Sequence, residues 1–469
     1  MMAEEKAVEK GIIFAWRCWL TVSACFVALT ASTIAVGGMG TLKRCCQSDP
    51  LSITAQTFAC TGLIWLALGT ALYLLGDRTI RFRYGWHIIL SCILLLLYLN
   101  VLRERPHYAD VQDYVQAAFD LRNGHPFHIR YLYPPFLATL CQPFLCLGHD
   151  GLAALFWCVN WVGLIIYFVL LSKLLEAYGV ESRLSALAVF LFLLVNVPVL
   201  RTLSFVQVNF HMMNLILLSV LCYPRHRILS ALMLAVAIHL KASPLVIALP
   251  FIISHDKRWL LSWVFFGCAL FAATYFYFGW APYESYFANV KTIYYANGIS
   301  FRENSIDSLV RTLALTVGKN GTTLVPFIKI PILVGLIGCV VYAMRTRMWS
   351  KRLDAFGLIY NSLPILLVVM VFASPLVWEH HFVFLAVPFL LIVRKLTSGA
   401  EWVAYGFAYL CIYLMPTFDF YPWSFCRLLG ACVLVALCLR LASRGDSLWF
   451  EGINQKFKRT GGNFADSEG

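Results

Sequence analysis

The stretch HYADVQDYVQAAFDLRNGHPFHIRYLYPPFLATLCQP, residues 107–143, is the first long polar interruption in an otherwise apolar chain. It begins with two carboxylates, Asp110 and Asp113, and continues with the residue pattern of a short amphipathic helix. Such a helix suits a position flat on a membrane surface. Tyr133-Pro134-Pro135 then favours an extended backbone, because proline fixes its own φ and restricts the residue before it. We interpret this stretch as the wall of a site that faces away from the cytoplasm.

The amphipathic helix has two predicted sides. The apolar side consists of Ala117, Ala118, Phe119 and Leu121. The side expected to stay polar consists of Asp113, Gln116, Asp120 and Arg122. Without further information, aspartates at the start of a helix are most simply read as solvated groups that favour the helix dipole.

The composition of the whole chain indicates a polytopic membrane protein. Of its 469 residues, 60% are hydrophobic and 13% are charged, which is too apolar for a soluble domain. The formal net charge of +13 comes from short basic clusters between apolar runs. That pattern sets orientation in a membrane, and we expect no nucleic-acid partner.

Apolar runs predict twelve membrane spans, with soft boundaries where a run is shorter than the ~20 residues that a bilayer core requires. The predicted spans are 12–38, 51–75, 86–102, 151–172, 184–203, 205–222, 259–280, 326–344, 354–373, 380–393, 400–416 and 424–443. The lysines and arginines between them predict a cytoplasmic N-terminus. The long polar loops 103–132 and 281–325 then lie on the outer side, which is where we expect the function.

Two further apolar segments do not fit as spans. Residues 133–148 could cross only by inverting every later loop, so we expect them to be re-entrant or interfacial. Residues 229–253 have basic clusters at both ends and carry Lys241 and Pro244 in the middle. Two half-helices would satisfy both clusters, since broken helices are tolerated where they line a cavity. The alternative is one ordinary crossing with two basic residues on the wrong side.

Several short motifs follow one another along the chain. They are Asp110-Val111-Gln112-Asp113-Tyr114, Asn123-Gly124, Tyr131-Leu132-Tyr133-Pro134-Pro135, Phe205-Val206-Gln207-Val208-Asn209, the run AIHLKASP at 237–244, Asn304-Ser305 with Arg311, and the run SPLVWEHH at 374–381. In this order they resemble glycosyltransferase family 87, a group of GT-C membrane enzymes that use polyprenyl-phosphate sugars. Phe205-Val206 departs from the glycine that the family usually has before the glutamine.

The resemblance covers about residues 86–395 and implies an all-α GT-C fold. Residues 1–85 then form an N-terminal extension with two spans, and residues 396–469 form a C-terminal part with two spans and a basic tail. The resemblance further implies an integral protein of a bacterial inner membrane, with its site on the periplasmic side. No cofactor is implied.

The resemblance also implies a reaction. A hexose, with mannose as the default, would pass with inversion from a polyprenyl phosphate to a glycolipid or glycan acceptor. An aspartate of the first outer loop is the general base in such enzymes, and it corresponds to Asp110. Asp113 stands where the family usually has an apolar residue and is the alternative base, because a base must finally reach the hydroxyl. His125 and His128 lack the spacing of a metal site, so we expect no metal.

The remaining candidates concern substrate binding. A lysine within an apolar run costs ~2.5–3.5 kcal/mol on insertion scales, so Lys241 is expected to face a cavity or a partner. We favour the donor phosphate as that partner over a carbonyl freed by Pro244. The resemblance assigns His381 to the same phosphate or to the sugar, and Arg201 is an alternative cation. The other expected substrate contacts are Tyr133, Gln207, Asn209, Asn304, Glu379 and His380, although Gln207 and Asn209 could equally bond neighbouring helices.

A lipid or sugar-phosphate transporter or flippase without catalysis is the alternative function. It would share the apolar helices, the broken helix and the buried lysine. Such a protein tends to place its key ionisable groups near the bilayer midplane and between internal repeats, and we see no repeat in this sequence. Asp110, in an outer loop, is the residue that separates the two hypotheses.

Overall fold

The computed structural model describes residues 2–46, 65–66, 68–102, 109–194, 196–296, 303–318, 321–349, 355–415 and 421–443. Within these ranges the chain is helical and contains no β-strand, in agreement with the all-α prediction. It divides into two compact units, Met1–Pro106 and His107–Gly469. The three-part division proposed from the sequence pattern stays a prediction.

The first unit contains two long helices, α1 (Met2–Cys46) and α2 (Arg78–Leu102). Between them, Trp65 lies against α1. Its indole nitrogen donates to the hydroxyl of Ser23 at 2.8 Å, and the Trp19 indole donates to the Trp65 carbonyl at 2.9 Å. Most of the predicted span 51–75 lies outside the described residues.

The second unit begins with α3, the predicted amphipathic helix. Its α-helices are α3 (Ala109–Asn123), α4 (Pro135–Leu140), α5 (Gly148–Ala177), α6 (Ser182–Leu194), α7 (Val197–Ser204), α8 (Asn209–Cys222), α9 (Arg227–Leu240), α10 (Leu249–Ile253), α11 (Lys257–Phe278), α12 (Ala281–Ala296), α13 (Ile306–Thr316), α14 (Gly321–Trp349), α15 (Ala355–Ala373), α16 (Ala386–Ile392), α17 (Gly399–Tyr409) and α18 (Cys426–Ser443). Short 3₁₀ turns occur at Gln142–Leu147, Ser243–Ala248, Glu379–Leu385, Val393–Lys395 and Trp423–Phe425, and a π-helical turn occurs at Leu410–Leu414.

Six helical stretches in the described residues are long and apolar enough to cross a membrane. They are Gly11–Ser32, Gln142–Ala177, Lys257–Phe278, Gly321–Tyr342, Ala355–Ala373 and Trp423–Leu441. The pair α6 and α7, bent by 71°, would make a seventh. The count of twelve is not confirmed, because several predicted spans form short or interrupted helices: α8 has 14 residues, and the span predicted at 380–393 begins as a 3₁₀ turn.

The bend between α6 and α7 has a local cause. The side chain of Asn196 accepts a hydrogen bond from the backbone nitrogen of Val199 at 3.0 Å, so it caps a new helix where the sequence pattern predicted a continuous one. Pro198 in the first turn also suits a helix start, because its missing N–H has no partner to lose there.

The two segments that did not fit as spans are both broken. Residues 133–148 form α4 and the 3₁₀ turn Gln142–Leu147 in place of one long helix. In the second segment, α9 ends at Leu240, and Lys241 has an extended backbone with φ −157° and ψ 130°. A 3₁₀ turn with Pro244 near its start follows. The predicted break at Lys241 is confirmed, and whether the segment re-enters or crosses stays a prediction.

Side chain to backbone hydrogen bonds connect the helices around the 3₁₀ turn Glu379–Leu385. The Tyr167 hydroxyl of α5 donates to the Val383 carbonyl at 2.7 Å, and the Tyr413 hydroxyl donates to the Phe382 carbonyl at 3.3 Å. Asn214 of α8 donates to the Gly163 carbonyl of α5 at 2.8 Å. Because these donors are buried, each needs its partner, and together they fix the backbone beside the site.

Candidate active site

Asp110 lies in the first turn of α3 and is bonded to a glutamine from a distant part of the chain. The side-chain nitrogen of Gln207 donates to one oxygen of the Asp110 carboxylate, Oδ2. The side-chain oxygen of Gln207 accepts from the hydroxyls of Tyr114 and Tyr133 at 2.8 and 2.9 Å. Since an ionised carboxylate can only accept, the nitrogen of the amide faces Asp110, and its oxygen accepts from both hydroxyls. The two tyrosines therefore orient the group that holds the carboxylate.

The turn that presents Gln207 is strained at the residue before it. Val206 has φ +55°, in the left-handed region that favours glycine. This is the position at which the resemblance given above implies a glycine. The backbone nitrogen of Gln207 donates to the Thr202 carbonyl at 2.9 Å, which closes the turn. Strain of this kind typically costs ~1–3 kcal/mol and is concentrated at functional sites.

A second group of predicted residues meets at Lys241. Its ammonium donates to the side-chain oxygen of Asn209 at 3.3 Å and lies 2.6 Å from Nε2 of His381. The Asn209 side-chain nitrogen in turn donates to the His380 carbonyl at 3.2 Å. The ammonium also lies 5.7 Å from the centre of the Tyr133 ring, so Tyr133 belongs to both groups.

The orientation of His381 follows from its other ring nitrogen. The backbone nitrogen of Trp378 donates to Nδ1 of His381 at 2.9 Å, so Nδ1 is an acceptor. A neutral imidazole then carries its proton on Nε2, the atom beside Lys241. The 2.6 Å contact is then a hydrogen bond from Nε2–H to the Lys241 nitrogen. The two nitrogens meet at one place, and an anionic oxygen that reached it could accept from a protonated Lys241 and from His381.

The environment of Asp110 moves the pKa of its carboxyl towards neutrality. Burial and, second to it, the neighbouring carboxylate of Asp113 raise the pKa of this carboxyl to about 7. The positive charges of Lys241 and Arg130 act in the opposite direction. Asp113 itself is engaged by Arg130, whose Nη2 lies 3.0 Å from its Oδ1. Asp110 is therefore the carboxylate that faces the site, while Asp113 pairs at its edge.

Asp120, which was expected on the polar side of α3, is instead 7% exposed. Gln116 donates to its Oδ1 at 2.7 Å, and the backbone nitrogen of His128 donates to its Oδ2 at 3.2 Å. The prediction was wrong because the loop after α3 folds back over this residue. His125 and His128 remain exposed on that loop.

The other candidate residues lie around these two groups. The guanidinium carbon of Arg201 lies 5.7 Å from the centre of the Phe205 ring. The centres of the Phe205 and His380 rings are 6.0 Å apart. The backbone nitrogen of Asn304 donates to the Val377 carbonyl at 2.6 Å, next to the motif at 374–381. Glu379 is 5% exposed.

Sequence reasoning missed two buried cations. Lys329 pairs with Asp307 and donates to the Ser374 carbonyl at 3.2 Å, and Arg427 donates to the Met415 carbonyl at 2.6 Å within electrostatic reach of Glu379. Each is an isolated basic residue in an apolar run, which is the same signal that identified Lys241.

Among the described residues, no group of three or more His, Cys, Asp or Glu side chains could hold a metal ion. The expectation of a metal-free site stays a prediction.

Comparison with known proteins gives one match. The family model of glycosyltransferase family 87 matches residues 131–375, which are 245 of the 469 residues. The matched region contains Tyr133, Gln207 and Lys241, while Asp110 and His381 lie outside it. No curated protein and no solved structure matches the chain.

Proposed function

The chain belongs to glycosyltransferase family 87, and on that premise we propose that it transfers a hexose, with mannose as the default, from a polyprenyl-phosphate sugar to a glycolipid or glycan acceptor. The proposed location is a bacterial inner membrane, with the site on its periplasmic side. The observation that carries the proposal is that Tyr133 joins the two groups. Its hydroxyl donates to Gln207, which holds Asp110, and its ring lies 5.7 Å from the ammonium of Lys241, the residue in contact with His381.

Asp110 is the proposed general base. Gln207 occupies Oδ2 of the carboxylate, which leaves Oδ1 for the proton of the acceptor hydroxyl. As that proton moves to Oδ1, the hydroxyl oxygen forms a bond to the anomeric carbon, and the bond from that carbon to the phosphate oxygen breaks on the opposite side. The configuration is therefore inverted. A pKa of about 7 suits this role, because a base is most effective when its pKa lies near the working pH.

Lys241 and His381 are the proposed binding site of the leaving phosphate. The negative charge on that phosphate grows as its bond to the sugar breaks. A protonated Lys241 and the Nε2–H of His381, which lie at one place, can both donate to the oxygen on which this charge grows. Asn209 supports the arrangement, because its side chain contacts both the Lys241 ammonium and the backbone of His380.

The hairpin of α8 and α9 supports a site far from the cytoplasm. Ser219 and Ser230 are in contact at 3.2 Å near its closed end, and Asn209 and Lys241 are in contact at its open end. Each helix has 14 residues and therefore a length of roughly 21 Å at about 1.5 Å per residue. With the basic turn at the cytoplasmic boundary, the open end lies within the outer half of a hydrocarbon core that is ~30 Å thick.

The test is a transfer assay with the full chain in proteoliposomes. The donor is a polyprenyl phosphate labelled in its mannose, and the membranes contain a lipid extract as the source of acceptors. We expect label to move into a second lipid and unlabelled polyprenyl phosphate to accumulate. Movement of intact labelled donor across the bilayer without cleavage would contradict the proposal and favour the flippase hypothesis.

A further inference from the structure

A buried ion pair lies outside the two groups that form the proposed site. Lys329 of α14 is 8% exposed and pairs with the carboxylate of Asp307 of α13, which is 1% exposed. The same ammonium donates to the carbonyl oxygen of Ser374 at 3.2 Å. A lysine in an apolar helix is costly without such partners. Here they come from α13 and from the end of α15, so Lys329 joins three separate segments.

Ser374 begins the connection from α15 to the 3₁₀ turn that carries His381. The Ser374 hydroxyl donates to the Leu376 carbonyl at 2.7 Å, and the backbone nitrogen of Asn304 donates to the Val377 carbonyl at 2.6 Å. The backbone nitrogen of Trp378 then donates to Nδ1 of His381 at 2.9 Å. Hydrogen bonds thus hold this connection at its start, through Lys329, and at its end, where Trp378 bonds the His381 ring.

We propose that Lys329 is a positioning residue, which holds the connection 374–378 so that His381 presents Nε2 beside Lys241. This inference rests on the proposed function, in which those two side chains bind the donor phosphate. Lys329 acts on that phosphate only through the backbone of the connection and through the His381 ring.

Stability alone is a weak explanation for this ion pair. Replacing a buried ion pair by neutral groups of similar size is often neutral or even stabilising, because removing two charges from water is costly. The bond from Lys329 to the Ser374 carbonyl is different, since methionine in its place has no hydrogen to donate to that carbonyl. The effect of the two charges on stability and the effect of the bond on the connection can therefore be measured independently.

The variants follow from that separation. Lys329→Met alone leaves the buried Asp307 charge without its partner and is expected to destabilise the protein. The double variant Lys329→Met with Asp307→Asn removes both charges and should recover most of the lost stability, but not the bond to Ser374. The matched control is Lys173→Met with Glu176→Gln, an ion pair at 2.7 Å on α5 that is remote in sequence from the connection.

The first measurement is amide hydrogen exchange of peptides that cover residues 374–381. We expect the double variant to increase exchange there by about tenfold or more, because weakening the anchor frees the connection. Peptides covering α8 should be unchanged, and the control pair should leave all of these peptides unchanged. Unchanged exchange at 374–381 in the double variant would overturn the inference, whatever the enzyme transfers.

The second measurement is the affinity for polyprenyl phosphate, the proposed product, which requires no turnover. We expect binding about tenfold weaker in the double variant, partial recovery in Lys329→Arg, and little change in the acceptor KM. Equal effects on donor and acceptor, or wild-type affinity for polyprenyl phosphate, would contradict the positioning role. A wild-type protein that transfers no sugar would refute the proposed function, while exchange and lipid binding would still decide the role of Lys329.

Discussion

The side-chain nitrogen of Gln207 donates to the carboxylate of Asp110 across 97 positions of sequence. Two tyrosine hydroxyls on the other end of the amide fix its direction. A turned amide would place its oxygen against the carboxylate, so the group that holds Asp110 has one favourable orientation. In a base that must meet an incoming hydroxyl, such orientation contributes directly to the rate.

The first prediction concerns the pH dependence of transfer. Asp110 is an effective base only when charged, so transfer should increase with pH through about 7. Gln207 donates to the charged form and therefore lowers the pKa of the carboxyl. Gln207→Leu should reduce transfer by roughly tenfold or more. It should also shift the increase of transfer with pH to higher pH, because the charged carboxylate loses a charge-assisted hydrogen bond. Donor kcat/KM measured as a function of pH checks both effects.

The control for this prediction is Gln142→Leu. Gln142 also bridges elements through its side-chain nitrogen, which donates to the carbonyls of Ala118 and Ala138 at 2.9 and 3.0 Å. Gln142→Leu should lower the stability of the protein and leave the pH at which transfer increases unchanged. An equal shift of the pH profile to higher pH in both variants would show that Gln207 acts only through general packing.

The second prediction concerns the left-handed residue Val206. Val206→Gly removes backbone strain of ~1–3 kcal/mol, which offsets the loss of a buried valine side chain. We expect an unfolding free energy within about 1 kcal/mol of the wild type on these magnitudes. Val208→Gly is the matched control, because Val208 is equally buried and has φ −70°. It should cost ~2–4 kcal/mol by loss of packing and added chain entropy. Similar losses in both variants would contradict the strain at Val206.

Local patterns in the sequence predicted the elements that depend on neighbouring residues. The amphipathic period predicted α3, and Lys241 with Pro244 predicted the break after α9. The ordered motifs predicted which segments supply the site. These features follow from helix periodicity, proline geometry and the cost of a charge in lipid.

Contacts between distant segments could not be predicted in the same way. Nothing adjacent to Lys329 in the sequence indicates that Asp307 and Ser374 are its partners, because α13 and α15 approach it only in the folded chain. Asp120 was assigned to the polar side by its helical position, although a later loop covers it. Hydropathy likewise does not reveal that Asn196 caps a new helix within an apolar run.

The third prediction concerns the phosphate of the donor. Lys241→Met should weaken donor binding and slow transfer, since the proposed phosphate site loses its ammonium and the charge it carries. Lys241→Arg should keep part of the activity, because the charge remains while the geometry changes. Binding and turnover, measured separately in nanodiscs, check these effects. Unchanged affinity and unchanged turnover in Lys241→Met would reduce the lysine to a structural partner of Asn209.

The fourth prediction concerns orientation in the membrane. Asn123 at the end of α3 and Arg225 in the turn between α8 and α9 are both exposed. With the proposed topology, a membrane-impermeant thiol reagent applied to intact cells should label Asn123→Cys above the background of the native cysteines. It should not label Arg225→Cys until the membrane is permeabilised. The reverse pattern would place the site on the cytoplasmic side.

The identity of the base is the central claim, and the most direct test compares Asp110→Asn with Asp113→Asn in the proteoliposome transfer assay. Asp110 is held by Gln207 and faces the site, whereas Asp113 pairs with Arg130 at its edge. We expect Asp110→Asn to reduce transfer by at least about a thousandfold, the scale of general-base catalysis, with donor binding retained. Asp113→Asn should keep most of the activity. A fully active Asp110→Asn protein beside an inactive Asp113→Asn protein would contradict the account.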